Sequence, residues 1–212
     1  MCGQFTLSIN ELEVEQRFNR KNSEKFIPIS KALPTHFLPI IGINNFSTIE
    51  KYRWGMPFDF NNSKKIIINT RAETILDKYF FKNLLLHKRC LVLANGFIEW
   101  DKTSPKQPYT FKLIDEKCFA FADIYSEYAF NNKIINCFSI ITTQANDLVA
   151  TMHNRMPVII EKEYENDWIY SDTELSKLKN ILKPFDENKM KKEVLDKSIF
   201  CNLNAQQIFF QK

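Results

Sequence analysis

No apolar run in this 212-residue chain approaches the roughly eighteen residues that a membrane-spanning helix needs. The amino terminus also lacks the basic-then-apolar stretch of a secretory signal, so a cytoplasmic location with no membrane partner is expected. No C-x-x-C pair occurs. The five cysteines (Cys2, Cys90, Cys118, Cys137, Cys201) are an odd number and widely spaced, which argues against a disulfide framework and against a zinc site. A strong charge excess is missing too. Lys and Arg number 29 against 25 Asp and Glu, and the resulting +4 is spread over mixed Lys and Glu, permitting a nucleic-acid partner without indicating one. There is no low-complexity linker and no internal repeat, so residues 1–212 are read as one domain.

What the chain does have is apolar bulk: 44% hydrophobic residues, 14% aromatic and 19 Phe, enough for a substantial core. Cys90 and Cys137 lie in apolar strand-like runs and read as small core residues. Ser8-Ile9-Asn10-Glu11 has capping-box spacing and predicts a short helix through about Phe18. Pro28, Pro34 and Pro39 suit extended segments and turns. Strands are expected at Ile49 to Trp54, Lys65 to Asn69, Cys90 to Ala94 and Phe97 to Trp100, with Asn95-Gly96 as a turn signal. Further strands are expected at Tyr109 to Leu113, Cys118 to Ile124, Ile134 to Thr142 and Pro157 to Ile160. Leu76, Tyr79, Phe80, Leu84 and Leu85 follow helical spacing, Asn146 or Asp147 can cap a short helix ending near His153, and two more helices suit Glu161 to Tyr170 and Thr173 to Leu182. The sum is an α+β fold, mostly antiparallel sheet curled towards a barrel, with peripheral helices.

Met1-Cys2-Gly3 is the most pointed feature. Aminopeptidases remove Met1 when the next side chain is small, and the chain would then start with a 1,2-aminothiol. Its amine titrates near 8 and its thiol near about 8.5, so both are usable nucleophiles. That pair condenses with an aldehyde to an imine, which the sulfur closes to a thiazolidine. Cys2 could equally be an N-terminal cysteine nucleophile, or an accident of sequence.

Other residues carry weaker signals. Asn69 and Arg71 leave a β-branched strand, where an Asn and an Arg can be functional or can merely turn the chain and pair with a carboxylate. Glu99 sits between Ile98 and Trp100 just past an apolar strand. Desolvation there would raise its pKa and suit it to acid/base work, though an edge-strand Glu facing water fits as well. His153 can move protons or simply stabilise a helix end, while His36 and His87 read as surface residues. Trp54 before Gly55 offers either an aromatic platform for a base or a core residue before a turn.

In order along the chain these segments resemble the SRAP (SOS-response-associated peptidase) family, the abasic-site shield proteins. The resemblance rests on Met1-Cys2-Gly3-Gln4-Phe5-Thr6-Leu7, Arg53-Trp54-Gly55-Met56-Pro57, Ile68-Asn69-Thr70-Arg71-Ala72-Glu73-Thr74 and the run from Arg89 to Trp100. Lys106-Gln107-Pro108-Tyr109, Ile141 to Asn146 and His153-Asn154-Arg155-Met156-Pro157-Val158-Ile159 extend it to about residue 170. It implies that Cys2, freed of Met1, forms a thiazolidine with the ring-opened sugar of an abasic site in single-stranded DNA, shielding it during DNA damage. Asn69 would hold the Cys2 end and the sugar, Glu99 would shuttle protons, and His153 would assist sugar opening. Arg71 would grip the adjoining phosphate. Trp54, Gly3, Arg155 and Thr142 would contact DNA. The resemblance implies no metal and no cofactor, a monomer, nucleoid association during damage, and lyase or peptidase activity as the class label.

Several positions depart from the family. Gln4 replaces an Arg and Ile98 a Tyr. Lys31-Ala32-Leu33-Pro34-Thr35-His36 stands for Asn-Ile-Ala-Pro-Thr-Gln, and Ala122-Asp123-Ile124-Tyr125 stands for small-Gly-aliphatic-Trp. The tail beyond about 185 does not align. Two other functions stay open: a cysteine-type peptidase acting on itself or another protein, and a single-strand DNA binding module with an inert Cys2.

Overall fold

Five strands close on themselves. In the computed structural model, which describes residues 2–60, 63–102, 106–130 and 133–197, the strands Phe37–Gly42, Asn45–Trp54, Arg89–Ala94, Phe119–Phe130 and Lys133–Gln144 pair in a ring. The ring closes through a parallel contact of Cys137 and Phe138 with Arg53 and Trp54. Cys201 and the rest of the tail lie outside the described residues. Alternation along each strand sorts the side chains into two cores. Leu38, Ile40, Tyr52, Trp54, Cys90, Val92, Phe121, Tyr125, Phe138 and Ile140 point inward and fill the barrel. The intervening Ile41, Ile49, Leu91, Leu93, Ala120, Ala122, Ile124 and Ile141 point outward, where helices cover them. Burial on both faces is why Arg89–Ala94 reads as an unbroken buried run.

A second sheet, ordered Met190–Val194, Pro108–Leu113, Gly96–Trp100, Phe5–Leu7 and Ile29–Ala32, packs beside the barrel. Aromatic rings join the two. Phe5 lies 5.6 Å from Phe121 and 5.2 Å from Trp54, and Phe97 lies 6.5 Å from Phe121. Asn95-Gly96 is therefore not a hairpin turn but the corner at which the chain leaves the barrel for this sheet. Asn95 fixes the corner by accepting from Thr6 Oγ1 at 2.7 Å and from the Ser8 N–H at 3.1 Å. Those bonds occupy Ser8, so the helix Glu11–Phe18 starts two residues later than expected, with Asn10 and Glu13 forming the capping box.

The helix Tyr79–His87 begins later than its spacing suggested, after a single 3-10 turn at Ala72–Thr74. Buried Arg89 binds its C-terminal end, donating to the carbonyls of Leu85 and Leu86 at 2.7 and 2.8 Å and to those of Trp168 and Tyr170. Its charge is met by carbonyl dipoles and, among the described residues, by no carboxylate, and burial lowers its pKa to about 10. The helices Glu165–Ile169 and Leu175–Ile181 cover the outer face through Trp168, Ile169, Leu178 and Ile181. The α+β class with a curled, largely antiparallel sheet agrees with the sequence reading. The exceptions are parallel contacts: the closing one, Asn69–Arg71 along Ile140–Thr142, and the two-residue Lys21–Asn22 along Thr48–Ile49. No helix of the described residues is long and apolar enough to cross a membrane.

Candidate functional site

The amino-terminal segment enters where barrel and second sheet meet. Cys2 is fully buried and belongs to the barrel core. Asn69 holds it there. The parallel pairing with Ile140 aims Asn69 at that core, and its Nδ2 donates to the Cys2 carbonyl at 2.9 Å. The Cys2 thiol donates weakly to the Gln4 carbonyl at 3.7 Å, and the same carbonyl accepts from the Ile98 N–H at 2.9 Å. The residues from Cys2 to Phe5 are thus held on two sides.

Glu99 shares a strand face with Phe97, whose ring stacks on Phe111. That parity turns the carboxylate into the apolar interior, where the residue is only 8% exposed and Oε1 has no hydrogen-bond partner among the described residues. Burial pushes its pKa up, opposed by the positive charge at the amino terminus. The same burial, followed by the charge of Glu99, drives the Cys2 thiol far above its ordinary range. Burial here favours the neutral thiol, a departure from the partly ionised group expected of an exposed Cys2.

His153 follows the short helix Asp147–Ala150, which Asn146 caps by accepting from the Val149 N–H at 3.0 Å. Its Nδ1 accepts from the Arg155 N–H at 2.9 Å. Burial, then the amino-terminal charge, lowers its pKa, which favours the neutral imidazole. His153, Arg71, Gln144, Asn154 and Arg155 line an open cavity of about 650 Å³. Arg71 is exposed at its rim. Arg155 is tied by a fork of bonds to Glu73 at 2.7 and 2.9 Å and to the Thr142 carbonyl at 2.5 Å. Gly3 is half-buried between Cys2 and Gln4.

Two expected DNA contacts are corrected. Trp54 is fully buried, its indole N–H donating to the Ile68 carbonyl at 2.9 Å and its ring packed by Phe5 and Phe138, so no face is left for a base. Thr142 is also fully buried and acts on Arg155 through its carbonyl and its hydroxyl, the latter at 3.3 Å. His36 is not a surface residue either. It is half-buried, its Nδ1 accepts from the Leu33 N–H at 3.4 Å, and burial together with the Lys31 charge lowers its pKa. Sequence reasoning missed Glu73 as the partner of Arg155, although it stands in the same motif as Arg71. Among the described residues no cluster of three His, Cys, Asp or Glu side chains is placed to hold a metal ion.

Comparison with known proteins gives a consistent result. A profile of the SOS response associated peptidase (SRAP) family matches residues 1–200. The abasic site processing protein YoqW of Bacillus subtilis is 34% identical over 205 residues, covering 90% of each chain. YoaM of the same organism, also named an abasic site processing protein, is 32% identical over 205 residues, covering 90% of this chain and 88% of that one. A crystal structure of a protein from Bacteroides thetaiotaomicron superposes with a TM-score of 0.84 at 26% identity over 95% of both chains.

Proposed function

The chain belongs to the SOS response associated peptidase family, and from that premise we propose that it joins itself covalently, through Cys2, to abasic sites in single-stranded DNA. Its relatives carry names as abasic site processing proteins, which points to abasic DNA as the target. With Met1 removed, the Cys2 amine adds to the ring-opened aldehyde, and loss of water leaves an imine. The thiol then adds across the C=N bond, sulfur bonding to carbon while its proton passes to nitrogen. The net change is aldehyde plus aminothiol to thiazolidine plus water.

One observation carries this reading. Asn69 fixes the Cys2 carbonyl, while Glu99 is the charge that acts most strongly on the Cys2 thiol. Glu99 is the base that takes the thiol proton and the acid that returns one to nitrogen, and its raised pKa suits both roles near neutrality. His153, neutral and facing the open cavity, assists opening of the sugar. Arg71 at the rim meets the adjoining phosphate. A peptidase would want a thiol acidified by a neighbouring cation; the Cys2 thiol is shifted the opposite way.

The test is a denaturing gel with single-stranded DNA holding one abasic site. Wild type is expected to give an adduct that survives boiling in detergent. Cys2→Ala, and a variant with one residue added before Cys2, should give none. An intact protein that forms no adduct yet cleaves a protein substrate would establish the peptidase reading instead. Salt-sensitive but fully reversible binding would establish a simple binding module.

A further inference from the structure

Asp123 lies inside the closed barrel, fully buried; the Val92 backbone approaches its carboxyl group, but among the described residues neither oxygen has a hydrogen bond of full geometry and no cation pairs with it. Its neighbours follow from the register. Cys90, Asp123, Ile140 and Asn69 stand opposite one another on four adjacent strands, and residues in such a row point to one face. The row therefore runs from Cys90 through Asp123 to the asparagine that holds Cys2. Two strand spacings, about 10 Å, separate Asp123 from Asn69.

We propose that Asp123 gives ring closure an alkaline limit: it is a neutral carboxylic acid buried in the barrel, in the row that ends at the asparagine holding Cys2, and its ionisation adds a charge that opposes loss of the thiol proton. An isolated carboxylate in such a place would be too costly to hold, so the group stays protonated. Burial indeed pushes its pKa well above the ordinary range, opposed by the Val92 backbone, and ionised Asp123 would hold the Cys2 thiol up in the same direction as Glu99 but more weakly. The groups facing it are few. Tyr125 comes from its own strand, Cys90 from the strand on one side, and Tyr52, bonded to Glu50 at 3.1 Å, from across the barrel. Cys2 belongs to the same core and feels both Asp123 and Glu99, while Leu38, Ile40, Phe138 and Ile140 bring no charge. As pH rises, proton loss from Asp123 and proton loss from the thiol oppose each other. Asp123 thus sets the alkaline limit of ring closure.

This inference rests on the functional reading above, and the experiment separates the two. Adduct formation with abasic DNA is measured from about pH 6 to about pH 10 for wild type, Asp123→Asn and Asp123→Ala, a span that covers ordinary amine and thiol titration. In parallel, formaldehyde converts the N-terminal aminothiol to a thiazolidine, scored by the mass of the N-terminal peptide. The neutral variants should match wild type near pH 7. At the alkaline end they should run ahead of it, because the charge that ionised Asp123 sets against loss of the thiol proton is gone. Infrared spectra should show a protonated carboxyl band in wild type at neutral pH that Asp123→Asn removes; should the Asn variant fail to fold, Asp123→Ala carries the same comparison. Superimposable pH profiles, or a wild-type spectrum with no such band, overturn the proposal. If DNA gives no adduct with wild type, the functional reading fails, and the formaldehyde profile still decides the role of Asp123.

Discussion

Replacing Glu99 with Gln separates chemistry from stability. The amide has the same shape, and Glu99 Oε1 has no partner among the described residues to lose. Because burial raises the folded-state pKa, the wild type's stability from this group is complete below the unfolded carboxylate value and is lost as pH rises through the folded one. Gln suffers no such loss, so at neutral pH the variant should melt at the same temperature as wild type or higher. Its reactivity should move the other way. Loss of a positioned proton carrier costs about 10²- to 10⁴-fold, and removal of the charge that holds the Cys2 thiol up returns about tenfold of that. A net slowing of about 10- to 10³-fold is therefore expected in single-turnover adduct formation. The wild-type rate should rise as Glu99 ionises, whereas the variant should stay flat there and climb only where the thiol itself titrates. A Gln variant within about threefold of wild type at every pH would remove Glu99 from the mechanism.

Other substitutions probe the surrounding parts. Asn69→Ala removes the 2.9 Å bond to the Cys2 carbonyl and should slow adduct formation by up to about tenfold, read in the same gel, without loss of the folded state. Arg71→Ala should weaken DNA binding uniformly across sequences and flatten the salt dependence by about one phosphate contact in a fluorescence-anisotropy titration. Glu73→Gln releases the Arg155 guanidinium from its forked partner, so binding should tighten and the salt dependence should steepen. Trp54→Ala opens a cavity between Phe5 and Phe138 and should cost about 3–5 kcal/mol in urea unfolding; normal stability with lost DNA binding would restore the stacking role.

The strands were legible because their chemistry is local. Apolar and β-branched runs such as Arg89–Ala94 announce themselves wherever they later pair. The corner at Asn95-Gly96 was not, because a turn signal specifies a change of direction and not which strand lies beyond it. Helix starts slipped where a capping side chain was claimed by a distant partner, as Ser8 was by Asn95 across 87 positions. Cys2, Asn69, Glu99 and His153 stood out as candidates by residue type and order, and the fold adds only their surroundings. Exposure could not be picked out. Trp54 and Thr142 lie at the same motif positions whether they face solvent or the core, and only the barrel's inward parity decides. Asp123 was visible as an ionisable residue inside the apolar run Phe119 to Ile124, but its row with Cys90 and Asn69 exists only once three pairings are made.

The depth of Cys2 has a consequence for how the protein is made. The proposed chemistry needs the bond before Cys2 to be cut, yet in the folded chain Cys2 has no exposed surface and its carbonyl is bound by Asn69. The core that encloses it draws on residues as late as Met156 and Met190, and on a closing contact between Trp54 and Phe138. None of that exists while the first residues leave the ribosome. The proposed chemistry is therefore served best by trimming during synthesis, before the barrel shuts. On the reading proposed above, the reactive fraction of any preparation is set by a race between an aminopeptidase and the elongating chain.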